Sequence, residues 1–300
     1  MREKWFWAGI ILAVLSWFGN SLYYQSKQIE HPIFLKHYYE AADDGDQYLK
    51  FYYLANREDK QDLQSVRIKD AVVFPYSQDD FMAGENNPSV EQEYTHQDLK
   101  VFTVSLKDML SQMKNKEAFS FNKMKVVMNN GQSFTADIGH VTIHKKYKDD
   151  KILEEQIASG SAIGLFQVLK PITLTSVSLP FEKETERLVS LKANTDQEAL
   201  SKEAESDDPF GWTDHEKKSH SSYQTLNPHK NFSIKLKQKD RLELATRFKA
   251  STLAYCDFSV KLHGTSKGKS FVSTALVDYQ PVLSQSDVDR IILRNGGGGK

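Results

Sequence analysis

Cysteine is nearly missing: Cys256 is the only one in 300 residues, so no disulfide can form within the chain. That excludes a small disulfide-stapled ectodomain and any site built from several thiolates. In an exported protein it points to a compartment that does without disulfides, such as the outside of a Gram-positive bacterial cell. Cys256 also lacks the N-terminal position that lipidation needs, so it reads as a small core residue. A charge surplus is missing too, with 39 basic residues against 40 acidic ones, and nothing marks a nucleic-acid binder. Charged residues make up 26% and apolar ones 39%, a globular balance and not a disordered one.

Catalytic signatures are absent or broken. Ser111-Gln112-Met113-Lys114 has the S-x-x-K form of penicillin-recognising enzymes but lacks the companion S-D-N and K-T-G motifs. Ser159-Gly160-Ser161 makes no G-x-S-x-G elbow. His140 and His144 on one strand face lie about 13 Å apart, too far to share a metal. His215, His220 and His229 sit in polar surroundings with no cysteine beside them. His263 to Ser270 (HGTSKGKS) has a phosphate-loop look, with His where the first Gly belongs. Strands on both sides make it a basic hairpin loop. The aspartates of Ala41 to Asp46 lack EF-hand spacing and read as a solvated turn. Asn231-Phe232-Ser233 is a glycosylation sequon with meaning only in a eukaryotic secretory route. No catalytic, cofactor-binding or metal-binding residue is assigned.

Long apolar runs are also scarce, with one exception. Trp5 to Tyr24 (WFWAGIILAVLSWFGNSLYY) carries no charge and comes directly after Arg2 and Lys4. As a helix it rises about 30 Å, the depth of a hydrocarbon core. Trp5 and Trp7 mark one end; Trp17, Tyr23 and Tyr24 mark the other, as rings at two interfaces do. The rival is a cleaved signal peptide with its small-residue site at Gly19-Asn20-Ser21. The apolar character resuming at Leu22-Tyr23-Tyr24 favours a retained span. The basic tail places residues 1–4 in the cytoplasm and the long C-terminal part outside.

The chain beyond Tyr24 reads as β. A juxtamembrane segment, 25–47, leads into strands at Tyr48–Ala55, Val66–Phe74 and Leu99–Leu106. The clearest hairpin joins Phe119–Met128 to Gln132–His144 through Asn129-Asn130-Gly131, where Asn-Gly accepts the positive φ of a type I′ turn. Leu165–Leu169, Ile172–Leu179 and Arg187–Leu191 are shorter strands. Residues 193–230 are polar, with a capping box at Thr195 and Glu198, and read as a linker or surface excursion cut first by proteases at Lys202, Lys217 or Lys218. Period-two alternation then marks strands at Phe232–Leu236, Leu242–Phe248 and Cys256–Leu262, with a fourth at Ser270–Tyr279. Phe248 and Phe258 read as inward, while Lys235, Glu243, Arg247, Tyr255 and Lys261 read as wet. Ser286–Arg294 suits a short helix or an edge strand, and 295–300 a frayed tail.

The expectation is therefore an all-β protein: one transmembrane helix (5–24), then an extracytoplasmic ectodomain of two β-sandwiches. The first spans 48–192; the second, an antiparallel sheet at 231–294, needs a further sheet to close its core. Three function classes remain open. One is a non-enzymatic envelope protein that binds or senses a protein or cell-wall partner. Another is a hydrolase assembled from distant residues such as Ser161, His140 and an aspartate. The third is a structural subunit of a membrane complex, touching neighbours through Gly9, Ser16, Gly19 and Ser21 of the span. A deep polar pocket favours the hydrolase; a flat sheet face or open edge favours binding.

Overall fold

The structure is a computed structural model and describes residues 2–43, 47–57, 59, 61–75, 89–113, 118–145, 152–159, 163–197 and 223–295. After one apolar helix, α1 (Arg2–Ser26), the chain is mostly β. The strands are β1 (Ile33–Phe34), β2 (Lys36–Asp43), β3 (Tyr48–Asn56), β4 (Leu63–Ile68), β5 (Ala71–Val73), β6 (Ser89–Glu93) and β7 (Gln97–Ser105). After α2 (Leu106–Ser111) come β8 (Phe119–Met128), β9 (Ser133–Lys145), β10 (Leu153–Ser159), β11 (Ile163–Val168) and β12 (Ile172–Ser178). The chain continues through α3 (Glu182–Leu188), β13 (Val189–Asn194), β14 (Gln224–Leu226), β15 (Ile234–Leu236), β16 (Arg241–Phe248), β17 (Ala254–Ser266), β18 (Lys269–Tyr279) and α4 (Gln285–Arg294).

Three sheets enclose two apolar cores. A nine-stranded sheet runs through the whole molecule, with a four-stranded sheet (β1-β3-β7-β6) and a five-stranded one (β10-β11-β16-β13-β14) beside it. The first core joins the four-stranded sheet to β2, β9, β8, β4 and β5, with Phe51, Phe102, Ile138 and Val126 fully buried. The second joins the five-stranded sheet to β12, β15, β17 and β18 around Phe166, Phe258 and Val260. The chain then returns: Leu283, Val288 and Ile291 bring α4 back onto the first core. A capping box at Ser284 and Asp287 starts that helix, which resolves the ambiguity of this segment.

Several expectations need correction. The juxtamembrane segment holds β2, which pairs in parallel with β17 on one edge and β9 on the other. Its aromatic run HYYEAA, with no strict alternation, fits a strand covered on both faces. Val66–Phe74 splits at the Lys69-Asp70 turn into β4 and β5, and β4 pairs with β8 instead of returning to β3. Residues 187–188 close the short helix α3. Both ends of the expected linker are strand, since β13 and β14 pair with each other. Its middle, with Lys202, Lys217, Lys218, His215 and His220, lies outside the described residues. The C-terminal strands do not form a sheet of their own: β16 pairs with β11 and β13, β15 with β12, and only β17 and β18 form a hairpin. Alternation reports which face is apolar, but not which strand lies alongside.

The alternation also fails where β17 crosses between cores. Cys256, Phe258, Val260 and Leu262 face the second core, whereas Tyr255 turns into the first and stacks on Tyr52 with centroids 3.8 Å apart. Glu243, expected wet, is buried and bonds to Asn194 at 3.2 Å and to the Tyr223 hydroxyl.

His37 lies fully buried in this seam, beside the stacked pair of Tyr52 and Tyr255, with ring centroids 6.2 and 5.6 Å away. Its Nε2 accepts a 2.9 Å hydrogen bond from the Tyr52 backbone N–H. Burial lowers the imidazole pKa to about 3, outweighing the upward pull of the Ile138 and Leu35 backbone. Because the folded pKa lies below the ordinary one, the unfolded chain takes up the proton first. The stability this contributes is present above about pH 6.5 and is lost as pH falls towards 3, at up to about 1.4 kcal/mol per pH unit. Urea unfolding at pH 7 and pH 4.5 should show that loss, and His37→Gln should flatten it. Equal pH slopes for parent and variant would show that the seam does not titrate through His37.

Candidate functional site

The large sheet forks. β18 occupies one edge of β17 along its length, from Cys256 opposite Tyr279 to Ser266 opposite Lys269. The other edge is shared: β2 pairs in parallel with Ala254 to Asp257, and β12 pairs antiparallel with Lys261 to Thr265. Between them neither strand reaches the β17 backbone. Glu40, just past the last β2 partner, fills the gap with its side chain. Its carboxylate accepts from the Ser259 N–H at 3.3 Å and from Lys261 Nζ at 3.0 Å, with His144 Nε2 at 3.5 Å. The Glu40 side chain is only 5% exposed, so the Lys261 charge beside it is what makes burial tolerable. Lys261, read from sequence as a solvated position, is thus a buried carboxylate's partner.

On the other branch of the fork, Ser178 Oγ lies 2.8 Å from His263 Nε2, and Thr175 Oγ1 donates to the His263 carbonyl at 3.3 Å. A hydroxyl beside an imidazole is the beginning of a nucleophile and its base. Among the described residues no carboxylate is paired with His263. The surroundings are a sheet face carrying Lys261, Ser259 and Thr274.

A groove lies elsewhere, where α1 meets the β domain. It encloses about 330 Å³ and is lined by Trp17, Asn20, Ser21, Tyr23, Tyr24 and His96. Tyr23 and Tyr24 meet the His96 ring edge-on at 6.0 and 5.6 Å. Below it the chain is clamped: Gln97 donates to the Lys27 carbonyl at 2.7 Å, and Asn56 exchanges two hydrogen bonds with Ile29.

The residues weighed from sequence do not converge. His140 packs on Phe181, at 4.6 Å between centroids, while His144 belongs to the Glu40 cluster. Ser161 lies outside the described residues, as do His215 and His220. His229 pairs with Glu186 at 2.5 Å. Ser111 ends α2 with its hydroxyl donating to the Asp108 carbonyl, and Lys114 lies outside the described residues. His263 to Ser270 is the β17–β18 hairpin, turning at Lys267 and Gly268 with positive φ. Among the described residues no cluster of His, Cys, Asp and Glu could hold a metal ion. The fork residues had no local signal, since Glu40 and Lys261 stand 221 positions apart in the chain.

No known protein family matches the chain, and no curated protein does. One solved structure, described as manganese lipoxygenase of Gaeumannomyces graminis with a partial structure of zonadhesin of Komagataella pastoris, aligns at 12% identity. The alignment covers 83% of this chain and 94% of that one with a TM-score of 0.21, too low for any argument about fold or activity. The helix is long and apolar enough to cross a membrane, with hydropathy 1.4 over Glu3–Ser26, as a signal sequence also would be.

Proposed function

We propose that this is a single-pass, membrane-tethered envelope protein whose extracytoplasmic β domains, a pair of sandwiches sharing one sheet, bind a protein or cell-wall partner without catalysis. The observation that carries the reading is the contrast between α1 and the rest. The apolar window of α1 is 0% buried within the protein, while a large, well-packed β body comes after it. An apolar helix with no protein to cover it is stable in lipid. Retention of the helix draws support from its C-terminal end, where Tyr23 and Tyr24 pack on His96 and Gln97 holds Lys27. Arg2 and Lys4 support a cytoplasmic N-terminus. The scarcity of cysteine supports a Gram-positive envelope. Binding without catalysis draws support from the sheet face beside the fork, where Val272 and Leu276 of β18 stand exposed.

Asn130→Cys, in the β8–β9 turn, tests the topology. The native thiol stays silent in such an assay, because burial of Cys256 pushes its pKa up to about 12. An impermeant maleimide should label Asn130→Cys on intact cells; labelling only after lysis would reverse the orientation. The mass of the mature chain should include α1, and a start at Leu22 would replace the anchor by a cleaved signal.

The Ser178–His263 contact favours a hydrolase as a second reading. It requires a serine-directed fluorophosphonate to label the purified ectodomain and Ser178→Ala to abolish that label.

A further inference from the structure

Among the described residues the edge strands of the sheets are short or interrupted, with one exception. β1, β5, β14 and β15 are two or three residues long. β6 and β10 carry register shifts, at Val90/Gln92 and Glu155/Ile157. Brevity and bulges are how natural sheets keep their edges from recruiting other strands. β18 has neither protection. It runs 11 residues, Lys269–Tyr279, in unbroken register with β17 and pairs with nothing else among the described residues. It contains no proline, and its sole lysine stands at its first position. On its outer face Val272 is 42% exposed and Leu276 62%. Two apolar side chains on an open, regular edge are what a strand awaiting a partner presents.

We propose that β18 pairs antiparallel with β18 of a second copy of this chain, about a two-fold axis at Thr274. The sequence of the strand is self-complementary about that residue. Antiparallel partners that face each other share a sheet face, so a two-fold pair centred on a residue matches positions equally far on either side of it, whose numbers differ by an even step. Centring on Thr274 sets Val272 of one copy against Leu276 of the other, twice, and joins the two exposed apolar groups into one patch. On the inner face it sets Phe271 against Val277 and Ser273 against Ala275, so the second core of one copy runs on into that of the other. The charges agree. One end of the hairpin is acidic, with Asp257 directly opposite Asp278. The other is basic, with Lys267 and Lys269 at the turn. Antiparallel docking lays the acidic end of each copy against the basic turn of the other, whereas parallel docking would set like against like. The Asp278 carboxyl is already held above its usual range by lost water, so an opposing lysine relieves a crowded acidic end. Tethering both copies to one membrane by α1 would raise their effective concentration, so a modest edge suffices. The pairing itself rests on β18 alone, and the detergent-solubilised chain can test it whichever way the helix is oriented.

The experiment uses the full chain in detergent. A short bis-maleimide should join Thr274→Cys to itself as a covalent dimer, while Lys125→Cys, exposed on β8, stays monomeric. No linkage at Thr274, or equal linkage at both positions, overturns the axis. Mass photometry gives the second arm. The parent should be dimeric, Val272→Lys with Leu276→Lys should be monomeric, and Val272→Lys with Leu276→Asp should be dimeric again because each lysine then faces a carboxylate. A dimer that survives the double lysine change overturns the proposal, as does failure of the lysine–aspartate pair to restore it. Unchanged near-ultraviolet dichroism should accompany each variant, since both side chains point to solvent.

Discussion

Replacing Gly139 by alanine should destabilise the protein by about 4 kcal/mol or more, among the largest effects of any single methyl group in this fold. Gly139 lies in β9 at φ +98°, opposite His37 in the parallel ladder. A Cβ there would meet the His37 carbonyl oxygen at 2.5 Å and its nitrogen at 2.7 Å. Those are backbone atoms of β2, and β2 is fixed by β17 on its other edge, so it cannot withdraw. Either the β2–β9 ladder opens or the new residue adopts a strained backbone. Chemical denaturation is the measurement. A Gly139→Ala protein within 1 kcal/mol of the parent would mean that the seam yields far more readily than two flanking ladders imply. Gly131→Ala is the useful comparison: φ is +84° there as well, but nothing lies within 4 Å of the added atom. It should show the conformational cost alone, about 1 kcal/mol.

Phe258→Ala is expected to cost about 3–5 kcal/mol. The ring is fully buried in the second core, on the strand that also borders the first. Removing it leaves a cavity beneath a strand that β18 holds along one edge and β2 and β12 hold on either side of the fork, so the backbone is poorly placed to collapse into it. Phe248, which reads from the alternation as its equal, is half-buried at the end of β16 and stacks on Tyr279 at 4.0 Å. Its truncation should cost about 1–2 kcal/mol. Because β17 serves both cores, Phe258→Ala should lower a single melting transition instead of splitting it in two. Two separated transitions, with one unmoved, would show that the shared sheet does not couple the halves.

The contrast between those two phenylalanines shows what was legible in the sequence. Strand existence was readable where alternation or a turn signal marks it: the β8–β9 hairpin at its Asn-Gly turn, and β15, β16 and β17 by their alternation, whereas the polar β6 and β10 gave no such signal. Strand partnership was not. β2 hides in HYYEAA because burial on both faces erases the period-two signal, and β16 separates from β17 because alternation is silent about neighbours. Glu40 and Lys261 escaped notice for the same reason. Each looks solvated in its own window, and only the fork brings a carboxylate and its cation together. Ser178 and His263 belong to different strands in the same way. The apolar helix, by contrast, needs no tertiary information, and it is where the sequence places it.

The position of β2 has a mechanical consequence. A short stretch separates the end of α1 from Lys36, so tension applied to the helix would enter the body through that strand. The Gln97–Lys27 and Asn56–Ile29 clamps take the load first. The short β1–β3 pairing comes next, and behind it β2 runs between two parallel neighbours whose hydrogen bonds are staggered along its length. A pull along the strand loads those bonds in shear, many at once, whereas a pull across a hairpin would open them one after another. The chain thus attaches its helix to a strand loaded in shear, and a force strong enough to extract β2 would have to break both of its ladders together.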